Sequence, residues 1–207
     1  MVKPFKRILL KLSGELLQAP GGQGIDPTAT RQVAERLREA VSLGVETGLV
    51  VGAGNLFRGE AFSRRGMDRC AADAIGMLAT VMNALALRDA LETLGMSAEV
   101  QSAVGIPGLV EVFDVRRARA LLQGGHVVLF AGGTGHPFFT TDTTAALRAC
   151  EIGADVIIKG TKVDGIYSAD PELNPDALRY ARVSFAEALS QRLRVMDSTA
   201  FSLCLDN

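Results

Sequence analysis

Along most of this chain, short apolar runs alternate with longer stretches in which apolar residues recur at helical spacing. The runs at 8–12, 45–51, 97–101, 126–131 and 155–159 are apolar nearly throughout rather than alternating. That pattern predicts strands buried on both faces, as in a parallel sheet covered by helices. Residues 28–43 set Val33, Leu37, Ala40 and Val41 opposite Arg31, Glu35, Arg38 and Glu39, with Pro27 near the start and Gly44 just beyond. This is an amphipathic covering helix. Residues 71–94 instead carry two apolar stripes, Ile75, Leu78, Met82 and Leu85 on one and Met77, Val81, Ala84 and Leu91 on the other. Two apolar faces call for two partners: one face is expected on the sheet and the other on a second subunit, the alternative being burial of both within one fold. Further helices are expected at 114–122, 142–152 and 184–193, and 197–207 reads as a helix with no strand after it. Residues 165–174, with Asp170-Pro171 and Asn174-Pro175, read as an irregular excursion. The fold class is therefore α/β, a mainly parallel sheet sandwiched between helices.

With 207 residues and 48% hydrophobic content, the chain buries a sizeable core and suits one domain, or one domain with two lobes. A net charge of −1 excludes the broad basic field of a general nucleic-acid binder, so no nucleic-acid partner is expected and any anion site must be local. Lysine is confined to five positions, and three of them, Lys11, Lys159 and Lys162, lie in glycine-containing clusters. Cys70, Cys150 and Cys204 are scattered without metal-ligand or disulfide spacing, which points to free buried thiols. The N-terminal run turns polar too soon for a signal peptide and no stretch approaches a membrane span, so a cytoplasmic protein without a membrane partner is expected.

Four polar clusters punctuated by glycine each follow an apolar run: Lys11-Leu-Ser-Gly14, Gly52-Ala-Gly-Asn-Leu-Phe-Arg-Gly59, Gly132-Gly-Thr-Gly-His-Pro-Phe-Phe-Thr-Thr-Asp142 and Lys159-Gly-Thr-Lys-Val-Asp-Gly165. Glycines let backbone N–H groups approach an anion, helix N-termini favour negative charge, and lysine or arginine adds formal charge. The layout is that of a phosphate-handling enzyme. The P-loop pattern is absent, and Gly52-Ala-Gly54 is followed by Phe57 where a dinucleotide fingerprint needs its third glycine. Lys11 ends the first strand, where α/β ligands bind, and Arg58 offers a fork suited to phosphate oxygens. Asp73 either complements the dipole of its helix or binds a hydroxyl. Thr141 or Asp142 suits an N-cap, a role compatible with ligand contact. His136 reads as positional, because an acceptor phosphate is already anionic and needs no base; His126 reads as structural. Lys159, Thr161, Lys162, Tyr167 and nearby carboxylates fit a nucleotide's polyphosphate, base and magnesium, the alternative being a charged surface hairpin.

Taken together, Leu10-Lys-Leu-Ser-Gly14, Gly54-Asn-Leu-Phe-Arg-Gly59, Met77-Leu-Ala-Thr-Val-Met-Asn83, Thr134-Gly-His-Pro-Phe-Phe-Thr-Thr-Asp142 and Lys159-Gly-Thr-Lys-Val-Asp-Gly165 closely resemble the bacterial uridylate kinase family of the amino-acid-kinase superfamily. The resemblance runs from residue 6 to the end. It implies transfer of the ATP γ-phosphoryl group to UMP, a step of pyrimidine nucleotide biosynthesis, with Mg2+ accompanying ATP and no metal held by protein ligands. By motif, Lys11 and Asp142 are the implied catalytic residues. Lys11, Leu12, Ser13, Gly14, Gly54, Arg58, Thr161, Tyr167 and Asp170 are implied for ATP. Ala53, Asp73, Thr134, Gly135, His136, Pro137, Phe138, Phe139, Thr140 and Thr141 are implied for UMP.

The resemblance also implies a single amino-acid-kinase-like domain over 1–207, with a lobe to about 150 for the acceptor and a lobe over 151–207 for ATP. Family members usually continue beyond the equivalent of Asn207, so that second lobe is expected to be incomplete. They are typically hexamers, so a homo-oligomer is expected. Ala53 replaces a usual third glycine, which weakens binding if the backbone there needs positive φ or very close phosphate approach; an alanine in an ordinary conformation is harmless. The alternative from another class is a non-catalytic nucleotide-binding or storage homologue.

Overall fold

The computed structural model describes residues 5–161, 163–193 and 195–207. In chain order the elements are β1 (Arg7–Leu12), a 3-10 turn (Gly14–Leu17), α1 (Pro27–Val41), β2 (Glu46–Val51), α2 (Gly59–Ser63), α3 (Arg69–Thr93), β3 (Ala98–Ser102), β4 (Glu111–Val112) and α4 (Val115–Gln123). They continue with β5 (Val127–Ala131), α5 (Thr141–Ile152), β6 (Val156–Lys159), β7 (Ile166–Tyr167), β8 (Arg179–Tyr180), α6 (Phe185–Ser190) and α7 (Ser198–Asp206). Local chemistry sets most helix starts. Asp26, Asp68, Asp114 and Asp197 cap α1, α3, α4 and α7 by accepting a backbone N–H, Thr140 does so for α5, and Ser184 with Glu187 forms a capping box on α6.

Six strands form one sheet in the order β4-β3-β5-β2-β1-β6, every pair parallel. Its two faces have separate cores. On one, Leu49, Val51 and Leu129 pack with Val33 and Leu37 of α1 and Val81, Leu87 and Leu91 of α3. On the other, Leu9, Val50, Val128 and Phe130 pack with Leu122 of α4 and Ala145, Ala149 and Ile152 of α5. A third, small cluster joins Ala188, Leu193 and Phe201. Side chains sealed on both faces explain why these strands read as continuous apolar runs. Because all six strands run the same way, Leu12, Val51, Ser102, Ala131 and Lys159 end on one edge of the sheet, and all four glycine clusters open there.

The five expected strands and the longer helices lie within a residue or two of their expected bounds. The 184–193 helix stops at Ser190, ahead of Arg192 at φ 53°. The 3-10 turn, α2 and β4 are too short to carry a period. The excursion at 165–174 is not wholly irregular, because Ile166 and Tyr167 pair antiparallel with Tyr180 and Arg179. The expectation that nothing approaches a membrane span is corrected by α3, which at 25 residues is long and apolar enough to cross one. It reads that way because two of its faces are apolar. One is sealed in the core; the other leaves Ile75, Leu78 and Met82 between 39% and 53% exposed.

Candidate active site

Lys11 and Lys159 are register partners on the neighbouring strands β1 and β6, so parallel pairing alone sets two ammonium-bearing chains side by side. Both share the parity of Leu9, which faces α5. Asp142, the second residue of α5, meets them there: Lys11 Nζ is 2.9 Å from Oδ1 and Lys159 Nζ 2.8 Å from Oδ2. The carboxylate is thus shared, one oxygen per lysine, and the cluster carries net positive charge. Side-chain exposures of 13%, 14% and 22% for Lys11, Asp142 and Lys159 keep the charges weakly screened but reachable from the sheet edge. Lys159 Nζ also donates to the Val195 carbonyl.

Beside this cluster the backbone is held by a buried amide pair. Asn83 of α3 donates to Gly52 O at 2.7 Å and exchanges hydrogen bonds of 2.8 and 3.0 Å with Asn55, which also donates to Gly24 O. Gly14 sits against all three groups. A Cβ there would stand 2.3 Å from Gly52 O, 2.4 Å from Asn55 Oδ1 and 2.9 Å from Asn83 Nδ2. The loops after β1 and β2 therefore approach each other this closely only if residue 14 has no side chain. Asn55 and Asn83 stand inside two of the motifs, where the sequence alone assigns them no role. An amide within the apolar pattern of α3 was the available signal.

Arg58 pairs with Glu15 at the crevice mouth, and its Nε lies 3.4 Å from Gly54 O. Ser13 caps the 3-10 turn, accepting from Glu15 N at 3.3 Å. Ala53 is not in the left-handed region; among the described residues only Phe138 and Arg192 are non-glycine residues with positive φ. The alanine is therefore harmless to the turn.

Across the crevice, Gly132, Gly133 and Gly135 all have positive φ, and Gly132 N donates to Thr80 Oγ1 at 2.8 Å. Phe138, at φ 71°, is strained for a bulky residue. Its N–H donates to Asp73 Oδ2 at 2.7 Å, the same oxygen takes Arg69 Nε at 2.8 Å, and the Arg69 guanidinium lies 5.3 Å above the Phe138 ring. Phe138 and Phe139 are exposed beside Pro137, an apolar shelf open to a planar ligand. Among the described residues, Thr134 Oγ1 bonds locally, to the main chain of His136. The Thr140 hydroxyl accepts from Asp142 N and donates to Asp197, while Thr141 Oγ1 lies 3.5 Å from where a Cβ on Gly52 would stand.

Thr161, Tyr167 and Asp170 lie on the segment after β6. Thr161 donates to Val163 O, Tyr167 to Asp164 at 2.7 Å, and Asp170 accepts from Glu172 N at 2.9 Å. The Tyr167 hydrogen bond, with Arg179 beside it, holds the Asp164 carboxyl below its ordinary range, and the same bond raises the Tyr167 phenol. Lys162 lies outside the described residues. A cavity of about 880 Å³ runs along β6 to Lys159 and Thr161, but Tyr167 and Asp170 do not line it. No cluster of three or more potential metal ligands occurs among the described residues, and both Asp142 oxygens already face lysines.

The model for the amino acid kinase family matches residues 6–206. A uridylate kinase of Legionella pneumophila strain Lens is 55% identical over 202 residues, covering 98% of this chain and 82% of that protein. Among solved structures, UMP kinase from Bacillus anthracis superposes with a TM-score of 0.94 at 35% identity, over 99% of this chain and 84% of that one. UMP kinase from Ureaplasma parvum does so with a TM-score of 0.91 at 37% identity, over 99% and 87%.

Proposed function

This chain belongs to the amino acid kinase family, and we propose that its work within that family is to move the γ-phosphoryl group of ATP onto UMP, giving UDP and ADP. It is an ATP-dependent nucleoside monophosphate kinase. The observation that carries the residue assignment is the Asp142 carboxylate shared between Lys11 and Lys159 at the edge where the glycine loops converge.

Phosphoryl transfer between two nucleotides asks the protein for position and charge rather than covalent chemistry. Lys11 and Lys159 offset charge on the transferring group, and Asp142 holds both ammoniums at fixed places without neutralising them fully. Main-chain N–H groups at Gly14 and Gly54 take ATP phosphates, with Leu12 and Ser13 shaping the turn. Arg58 exchanges Glu15 for phosphate. Ala53, Asp73 and the 134–141 wall receive UMP, with Phe138 and Phe139 beneath the base and Asp73 available to a ribose hydroxyl. Thr161, Tyr167 and Asp170 serve the ATP nucleoside, dividing the chain near residue 150 into acceptor and donor lobes. Mg2+ enters with ATP and shields its phosphates. Thr140 contributes main chain, since its hydroxyl is committed to Asp142 and Asp197. An intact lysine–aspartate cluster favours this reading over a binding-only homologue.

The exposed stripe of Ile75, Leu78 and Met82 on α3 supports self-association through that helix, in a cytoplasmic enzyme. Light scattering on Leu78→Glu, expected to shift the assembly to a smaller one, tests this. A coupled ADP-release assay with ATP, Mg2+ and UMP tests the reaction. UMP should support turnover far better than CMP, aspartate or acetylglutamate, and equal turnover of those acceptors would sink the proposal.

A further inference from the structure

Residues 195–197, which lead into α7, reach the Lys11–Asp142–Lys159 cluster by two routes. The Val195 carbonyl accepts from Lys159 Nζ. The Asp197 carboxylate accepts from the hydroxyls of Thr140 and Thr143, the latter at 2.9 and 3.0 Å from its two oxygens, and from the Ala200 amide at 2.8 Å. Thr140 is the N-cap of α5, and its Oγ1 accepts the amide of Asp142 at 3.0 Å. A hydroxyl has a single proton. An ionised carboxylate only accepts, so Asp197 draws that proton to itself and leaves the Thr140 lone pair for Asp142 N–H. Thr143, one turn of α5 further in and 5% exposed, anchors the same carboxylate from a second position. Two attachments on one helix end resist both rotation and sliding of α5.

We propose that Asp197 is a positioning residue for phosphoryl transfer, holding the first turn of α5 through Thr140 and Thr143 so that the Asp142 carboxylate keeps Lys11 and Lys159 at working separation. The inference rests on the kinase reading. Asp197 does its part as an anion: burial alone would raise its pKa, but the hydrogen bonds from Thr140, Ala200 and Thr143 outweigh that and hold it below the ordinary value.

The test uses Asp197→Ala, Asp197→Asn and Thr143→Val, with two readouts. In steady-state kinetics, Asp197→Ala should lower kcat about tenfold, the rate equivalent of one charge-assisted hydrogen bond, with KM for UMP changed less than about twofold. Asp197→Asn, which keeps one acceptor, should fall between it and the parent. Independently of turnover, acylation of lysines followed by mass spectrometry should show Lys11 and Lys159 reacting several-fold faster in Asp197→Ala. Lys6, whose side chain is 76% exposed, serves as internal reference. A variant with lowered Tm but parental kcat per folded molecule and parental lysine rates would overturn the proposal. Should Asp197→Ala fail to fold, Thr143→Val decides, because it removes one bond at nearly constant volume: faster labelling of Lys11 and Lys159 supports positioning, unchanged labelling refutes it. Parent protein that is folded yet turns over no UMP would refute the kinase reading, while the labelling result still judges the placement.

Discussion

Gly14→Ala puts one methyl group where the crevice has no room. The new Cβ would lie 2.3 Å from Gly52 O, 2.4 Å from Asn55 Oδ1 and 2.9 Å from Asn83 Nδ2; the first is backbone and the other two are held in a buried, hydrogen-bonded amide pair. Relief calls for two movements. The Asn55–Asn83 pair must open, losing two hydrogen bonds worth about 1 kcal/mol each and leaving amides without partners in a site where Asn55 is 4% and Asn83 0% exposed. The clash with the Gly52 carbonyl persists when that pair opens, so the Gly52 turn must also withdraw by roughly 1 Å, which breaks its bond from Asn83 and moves the glycine loop away from Lys11. The first movement and ordinary overpacking both place the loss of stability at about 2–4 kcal/mol. The second displaces phosphate-binding N–H groups by a distance that costs about 100-fold in rate. Urea unfolding followed by circular dichroism, with coupled ADP release on the same preparation, measures both quantities. Stability within about 0.5 kcal/mol of the parent, together with kcat within about threefold, would show that the close approach of these loops is not what the site depends on.

Asp142→Asn leaves two ammoniums adjacent with no shared anion, and kcat should fall by about 100-fold or more with smaller changes in either KM; preserved kcat in the ADP-release assay would remove Asp142 from the catalytic cluster. Ala53→Gly should leave KM for UMP within about twofold and lower stability by about 0.5 kcal/mol, because the residue already has an ordinary φ and glycine only adds freedom to the unfolded chain. Improved UMP binding would show instead that the methyl group obstructs the phosphate. For Asp197 the folded pKa lies below the ordinary 3.8, so its stabilisation is fully present above that value and is lost as pH falls through the folded one. Chemical unfolding across this acid range should accordingly find the gap between parent and Asp197→Asn widest near neutral pH and narrowing in acid; a gap independent of pH would refute the ionised clasp.

The glycine clusters were legible as one candidate site because their chemistry is local. Glycine, lysine and hydroxyl side chains following a buried strand mean the same thing wherever the strand lies, and the all-parallel sheet then brings them to one edge. Asn55 with Asn83, and Arg69 with Asp73 and Phe138, were not legible as units. Each of those side chains has an adequate local role on its own, and only packing of α3 against the glycine loops gives it the other. Asp197 reads locally as a helix cap, and that it is; its hold on Thr140 and Thr143 depends on α7 lying across α5.

By itself the sequence determined that this chain folds as a doubly covered α/β sheet and that its glycine clusters follow the strands, because burial on two faces and backbone access at glycine are properties of neighbouring residues. Only the tertiary structure decided that Lys11 and Lys159 stand in register with one carboxylate between them. Strand order arises from the competition of whole strands and helices for the same core, and no window of sequence contains both sides of that contest.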